Sequence, residues 1–489
     1  MFRVQMLRER RRFRIGGTAK GFPNPAPFAT GYAMFDPVTL PFWLFWLILL
    51  FAAVTALSHV FIPPVRWFLR RRLEKAVARL NQRLAQPIQP FKLLRRQDMI
   101  LRLSYDPAVL QAVQDHARAT GIREDVVHTE ARFYAREIVP SFSASAYFGF
   151  AIRAARWLST RLYDVHLARV DEAGLAAIPK DATVVFVMNH RSNMDYVLVT
   201  YLAAERSALA YAVGEWARIW PVSRLLRAMG AYFIRRRSRN PLYRRVLARY
   251  VQMAVSGGVT QAIFPEGGLS LDGRVGPAKL GLLSYISEVE TEREIVFVPV
   301  SLNYDRVLED NVLIDAGRSG ERRFRGSFRT GTAFVLRWLW RRVFGRVRRF
   351  GWAAVTFGTP LSLSSVAPGD VKGLARELMA RIRDGVPVLP GPLVAAALLD
   401  GVTSRSALHE WVGIRARALA GQGVYVLLPE GAVERTLHML QLRRLVTVRD
   451  GEIALADRAG KVLPFYAASV PESDAASQEA DRPPPLVGT

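Results

Sequence analysis

From residue 164 to residue 362 the chain alternates short apolar runs with helical stretches, and this pattern restricts its fold more than any other. TVVFVM (183–188) is a six-residue run without a charge, as a strand covered on both faces would be. YVLVTYLAAE (196–205) reads as the helix after it. ALAYAV (208–213), GAYFI (230–234), TQAIF (260–264), IVFVPVSLNY (295–304) and WAAVTFG (352–358) read as further strands, with helical stretches such as PLYRRVLARYVQMAVSGG (241–258) between several of them. Strands alternating with helices predict an α/β fold over residues 164–365.

The flanks read differently. Residues 64–163 are expected to be helical. Within them DPAVLQAVQDHARATG carries Asp106 as N-cap, Pro107 in the first turn and Gly121 as terminator. SASAYFGFAIRAARWL (143–158) offers an apolar face that leans toward a membrane. Residues 366–470 read as a second helical region with a small hairpin, and the Ser-, Ala-, Asp- and Pro-rich stretch 471–489 as a disordered tail.

Half of the 489 residues are hydrophobic, and no cysteine occurs, which excludes disulfides, thiolate catalysis and cysteine metal sites. A net charge of +26 calls for an anionic partner: nucleic acid, a phosphorylated substrate or acidic lipid. Residues 41–62, PFWLFWLILLFAAVTALSHVFI, contain no formal charge. About 20 such residues reach across a bilayer core, so a transmembrane or membrane-inserted helix is expected over residues 41–63. Trp43 and Trp46 near one end, with Trp67, Arg66, Arg70, Arg71 and Arg72 past the other, resemble interfacial anchors. Residues 1–40 form a basic extension. Seven Lys/Arg fall in residues 1–20 and seven in residues 66–83, so charge alone does not orient the helix. A start at Met34 would break that tie and leave everything after residue 63 in the cytoplasm.

His-x4-Asp occurs twice, at His190–Asp195 and at His166–Asp171. His190 follows a strand directly and Asp195 opens the next helix, where α/β proteins place reactive groups. There the carboxylate can fix one imidazole nitrogen and leave the other to take a proton from a hydroxyl. His166 lies in a polar-alternating stretch expected to form an exposed edge.

Three further stretches carry chemistry. GAYFIRRR (230–237) ends a strand in consecutive guanidiniums, which can fork onto phosphate. FPEGGLSLDGR (264–274) sets Glu266 and bare backbone at Gly267 and Gly268 against a ligand, with the carboxylate accepting its hydroxyls. VPVSLNYD (298–305) carries Pro299, which suggests an edge or bulge beside a site.

In this order the four stretches resemble the four blocks of the glycerolipid acyltransferase superfamily, most closely the bacterial-type glycerol-3-phosphate acyltransferases. His190, Arg191, Ser192, Met194, Asp195 and Tyr196 match HRSxMDY, and Gly230, Ala231, Phe233, Ile234, Arg235 and Arg236 match GAFFIRR. Glu266, Gly267, Gly268, Ser270, Gly273 and Arg274 match EGGRSRTGR, and Pro299 with Tyr304 match the fourth block. Leu269 and Leu271 stand where that pattern has arginines, leaving Arg191, Arg274 and Lys279 to replace those contacts.

The resemblance implies a mixed sheet flanked by helices, preceded by a membrane-associated helical region. It also implies transfer of an acyl group from acyl-CoA or acyl-ACP (acyl carrier protein) to the sn-1 hydroxyl of glycerol 3-phosphate, the first step of phospholipid synthesis, with no cofactor and no metal. His190 and Asp195 would be catalytic. Arg191, Arg235, Arg236, Arg274 and Lys279 would hold the phosphate, with Glu266, Gly267, Ser270 and Pro299 completing the substrate site. Backbone N–H groups near Ser192 and Asn193 would face the oxyanion. Residues 322–349, with ten arginines among Phe and Trp and no acidic residue, suit anionic lipid, the CoA phosphates or the carrier protein. The expected location is a membrane, with the site on the cytoplasmic face of a bacterial inner membrane. Three rivals stand beside this reading. One is an acyltransferase for 1-acylglycerol 3-phosphate or dihydroxyacetone phosphate. Another is a non-catalytic basic membrane scaffold, and the third a nucleic-acid binder, for which no zinc spacing, helix-turn-helix or RNP-like motif is present.

Overall fold

Helix α1 (Phe42–Asn81) runs 40 residues without a break, through residues 63 and 64, where two prolines follow one another. It opens a computed structural model that describes residues 41–203, 207–214, 222–235, 238–319 and 349–472. The basic extension, Arg236, the arginine-rich segment up to residue 348 and the tail from residue 473 lie outside the described residues. The chain divides into two compact units, one through Arg72 and one from Leu73. In the first, Phe42, Trp43, Trp46, Leu50, Phe51 and Leu57 are exposed. Among the described residues no helix is long and apolar enough to cross a membrane.

The second unit begins with helices. α2 (Arg96–Ser104) is followed by α3 (Pro107–Thr120), which starts and stops as the residues dictate: the Asp106 side chain accepts from the Ala108 N–H, and Gly121 closes the helix at φ +70°. α4 (Glu124–Ile138) follows, and a turn of π-helix at Ser145–Ala151 leads into α5 (Ile152–Leu162).

The sheet then forms from β1 (Asp164–Val170), β2 (Thr183–Met188), β3 (Ala210–Val213), β4 (Tyr232–Phe233), β5 (Gln261–Ile263), β6 (Ile295–Tyr304), β7 (Trp352–Phe357) and β8 (Leu361–Ser362). Their order is β1-β7-β6-β2-β5-β3-β4, with β8 on β6. β6, β2, β5, β3 and β4 are parallel, whereas β7 runs antiparallel to β6 and carries β1 with it. The sheet is therefore mixed, and the C-terminal ends of five strands share one edge.

Between the strands lie α6 (Glu172–Ala176), α7 (Met194–Leu202), α8 (Val222–Ala228), α9 (Pro241–Ser256), α10 (Gly281–Ser287) and α11 (Asp310–Ser319). After them come α12 (Val371–Asp384), α13 (Pro390–Leu399), α14 (Arg405–Gly421), α15 (Ala432–Leu442), the hairpin β9 (Val446–Arg449) and β10 (Glu452–Leu455), and α16 (Ala459–Ala467).

The two-residue period of β2 builds both faces of the core. Val184, Phe186 and Met188 join a cluster with Leu198 of α7 and Leu393 of α13. Val185 and Val187 join another with Val109 of α3, Val246 of α9 and Leu378 of α12. Each such fully buried aliphatic side chain contributes about 1.5–3 kcal/mol. A strand covered on both faces is continuously apolar, which is why TVVFVM shows no alternation.

Pro299 corrects an expectation. β6 is an interior strand, not an edge, and Pro299 is buried opposite Val187. The strand tolerates it because β8 pairs with residues 296–297 and β7 with residues 300–304, so Pro299 falls where one partner gives way to the other. Its carbonyl accepts from the Gly358 N–H (2.9 Å) at that junction, and its missing N–H interrupts no ladder there.

Candidate active site

β2 delivers the histidine through one intervening residue. The buried Asn189 amide donates to the Leu302 carbonyl (3.0 Å) and accepts from the Leu302 N–H (2.8 Å), so a side chain continues the pairing of β2 with β6. His190 comes next and is 2 % exposed. Its backbone is held from both directions: its N–H donates to Glu266 Oε1 (2.8 Å), and its carbonyl accepts from the Ser270 N–H (2.8 Å).

The chain then turns, and Asp195 arrives in the first turn of α7 with no exposed surface. His190 Nδ1 donates to Asp195 Oδ2 at 2.9 Å. The same oxygen accepts from the backbone N–H groups of Arg191 (2.8 Å) and Ser192 (3.0 Å), while Oδ1 accepts from the Tyr304 hydroxyl (2.8 Å). With Nδ1–H bound to the carboxylate, Nε2 carries the lone pair. The ring plane is fixed as well: Phe264 stacks on it with centroids 4.1 Å apart, and Tyr196 meets it edge-on at 5.5 Å. Burial, reinforced by the Asp195 charge, holds the Tyr304 hydroxyl well above its ordinary pKa, so it stays a donor.

A second carboxylate braces the turn. Glu309 accepts from Ser192 Oγ (2.8 Å), Asn193 Nδ2 (3.0 Å) and the Asn193 N–H (3.3 Å). Negative charge at a helix N-terminus is favourable. Burial nonetheless raises its carboxyl above the usual range. This corrects the expected oxyanion donors: the Ser192 and Asn193 N–H groups already donate to Asp195 and Glu309.

The third block follows β5 and lines a cavity of about 720 Å³. Glu266, Ser270, Arg274 and Lys279 are on its wall, as are Leu269 and Leu271. Glu266 is 9 % exposed, and both its oxygens already accept backbone N–H groups, from His190 and from Gly276 (3.1 Å). Burial pushes its carboxyl up to about 7 against the pull of these donors. The expected contact to a substrate hydroxyl is thus at most a second use of a group that ties β2 to the loop after β5. Ser270 Oγ likewise closes its own turn, accepting from the Gly273 N–H (3.0 Å) and donating to the Arg274 carbonyl (2.8 Å). Gly267 has φ +66°, and a Cβ there would come within 2.8 Å of Lys279 Cδ, so the lysine chain lies over it.

The arginines divide. Arg191 is buried, with Nη1 donating to the Gly273 carbonyl and the guanidinium 5.2 Å from the Phe465 ring centroid. Its Nε and Nη2 have no hydrogen-bond partner among the described residues, and burial lowers its pKa. Arg274 is exposed and reaches Glu472 at 3.3 Å. Arg235 does not offer a free fork: its Nε and Nη2 bind the two oxygens of the buried Glu137 of α4 (2.9 and 2.6 Å), and its guanidinium lies against the rings of Tyr134 and Tyr243. It follows β4, three strands from β2 and so about 14 Å across the sheet. Pro299, mid-strand, is not among the residues lining the cavity.

Sequence reasoning missed Tyr304 as the partner of Asp195, although it closes the strand neighbouring β2 and belongs to the fourth block. It also missed Glu309, and Arg318 and Lys461 on the cavity wall, which no motif marks. Among the described residues no group of three or more His, Cys, Asp or Glu could hold a metal ion.

Known proteins resemble this chain in sequence. Residues 169–303 match the family model described as Acyltransferase, which bears out the resemblance of the blocks. A glycerol-3-phosphate acyltransferase of Actinobacillus succinogenes is 31% identical over 56% of this chain and 33% of its own length. One from Pseudomonas fluorescens is 28% identical over 76% of this chain and 41% of its own. One from Pasteurella multocida is 28% identical over 77% and 49%. The chain therefore spans half or less of the length of these curated relatives. A solved 1-acyl-sn-glycerophosphate acyltransferase from Thermotoga maritima aligns with 53% of this chain and 82% of its own at 18% identity and a TM-score of 0.31, too low to carry a structural argument.

Proposed function

We propose that this chain transfers a fatty acyl group from an acyl thioester, of CoA or of acyl carrier protein, to the sn-1 hydroxyl of glycerol 3-phosphate. The observation that carries the reading is the buried His190–Asp195 pair at the strand edge shared with the cationic cavity. His190 Nε2 removes the proton of the primary hydroxyl as its oxygen attacks the thioester carbonyl. The new C–O bond forms, the C–S bond breaks, and the imidazolium returns the proton to the departing sulfur. General-base help of this kind is worth ~10²–10⁴-fold, and positioning supplies much of the rest. Arg274 and Lys279 on the cavity wall, with Arg191 behind it, suit the phosphate of the acceptor.

The product is amphiphilic, and the exposed apolar start of α1 supports a reading in which this segment enters a membrane from the cytoplasmic side. Anionic lipid suits the chain's +26 charge. The test is direct: the purified chain in vesicles containing anionic lipid is given labelled glycerol 3-phosphate with acyl-CoA or acyl carrier protein. 1-Acylglycerol 3-phosphate is the expected product. Acylation of 1-acylglycerol 3-phosphate or dihydroxyacetone phosphate instead would replace the acceptor, and no transfer to any of the three would overturn the reading.

A further inference from the structure

The cavity walled by the loop that holds the His190 backbone carries positive charge that the four blocks do not supply. Among the described residues four cationic side chains line it against two carboxylates, and two of the four, Arg318 of α11 and Lys461 of α16, belong to helices outside every block. Both helices are brought there by close backbone contact. A Cβ at Gly317 would come within 2.9 Å of the Leu271 carbonyl oxygen, so α11 abuts the third block at Leu271. A Cβ at Gly273 (φ +88°) would overlap the Phe465 carbonyl oxygen, so the same loop abuts α16. Leu269 and Leu271 meanwhile pack against the core cluster that holds Ile314 and Phe465. Leu271 therefore seats α11 and Gly273 seats α16, and each helix adds a cation to the wall.

The cations fall into two sets. Lys279 lies over Gly267, next to Glu266 and so next to the His190 backbone. Arg318 and Lys461 sit where α11 and α16 meet the far part of the loop, around Leu271 and Gly273. A three-carbon phosphate ester fills only part of 720 Å³, since cavities of roughly 300–1,000 Å³ enclose drug-sized ligands. Resting on the acyl-transfer reading, we propose that Arg318 and Lys461 form a second phosphate site, which takes a phosphate ester of the donor's pantetheine carrier while Lys279 serves the acceptor. The same chemistry occurs in CoA and in the phosphopantetheine arm of a carrier protein.

The test compares three donors of one acyl chain: acyl-CoA, acyl carrier protein and acyl-pantetheine, which bears no phosphate. In R318A/K461A the KM for acyl-CoA is expected to rise about tenfold or more, with the KM for glycerol 3-phosphate within about twofold and acyl-pantetheine turned over as by the wild type. A rise for the carrier protein as well assigns the site to the shared phosphopantetheine phosphate; a rise for acyl-CoA alone assigns it to the nucleotide phosphates. The charge-preserving R318K/K461R should restore the KM, and an unchanged melting temperature excludes misfolding. An unchanged KM for both phosphate-bearing donors, an equal loss with acyl-pantetheine, or a rise that falls on glycerol 3-phosphate overturns the proposal. If the wild type transfers no acyl group at all, the underlying reading has failed. Calorimetric titration with free CoA then tests the site alone, with weaker binding by the double variant expected and equal binding fatal to it.

Discussion

Two segments of this chain place an aspartate five residues after a histidine, and they have nothing else in common. His190 leaves β2 into a turn, so Asp195 folds back to 2.9 Å from its ring. His166 lies inside β1, an edge strand, paired opposite Ala354. Five residues of extended chain carry Asp171 about 16 Å along the strand direction, where it accepts from the Gly174 N–H (2.9 Å) and caps α6. Because β1 runs against β2, its end lies on the opposite edge of the sheet. The difference teaches that spacing creates a pair only where the backbone reverses between the two residues. Strand direction then decides whether the pair meets the other blocks.

The comparison breaks most sharply at the histidines themselves. His190→Ala should lower kcat by about 10²–10⁴, and His166→Ala should change it less than twofold; equal losses in steady-state assays would erase the distinction. Next, Tyr304→Phe removes a donor to a buried carboxylate, a bond worth about 1.5–3 kcal/mol. A kcat reduction of about tenfold or more is expected, with the KM for either substrate little changed. The counterpart in the first segment, Asp171→Ala, should leave kcat alone and only loosen the start of α6.

A smaller effect separates Arg235 from the residues proposed to hold phosphate. Glu137→Gln should lower stability in urea by about 1–3 kcal/mol, as one partner of a largely buried ion pair is lost. If Arg235 held the substrate phosphate instead, freeing it would lower the KM for glycerol 3-phosphate. The last effect is a slope. Glu266 has its carboxyl raised from 4.5 to about 7 by burial, so the folded chain binds the proton more tightly than the unfolded one. Its contribution to stability is fully present below pH 4.5 and lost as pH rises through about 7. Glu266→Gln should flatten that fall in urea titrations over this window; an unaltered slope would contradict the burial argument.

Much of this was legible from residues alone. The apolar run of β2, the caps of α3 and the turn between His190 and Asp195 are local, and local chemistry decides them. The rest depends on what packs beside what. Arg235 reads as a free fork until α4 brings Glu137 to it, and no local pattern announces that approach. Pro299 reads as an edge marker because sequence does not show that two short strands share one side of β6. Glu266 reads as a ligand for hydroxyls, but its oxygens meet N–H groups 76 positions upstream and ten positions downstream of it. Arg318 and Lys461 carry no signal of their own among so many basic residues.

One feature couples these parts mechanically. The main chain of His190 is fastened on its amide side by Glu266 and on its carbonyl side by Ser270, both from the loop that walls the cavity. A guest that shifts this loop therefore shifts His190 with it. Acceptors too small to settle the loop should then be turned over slowly even at saturation, so that discrimination between alcohols is made in the speed of reaction as much as in the tightness of grip.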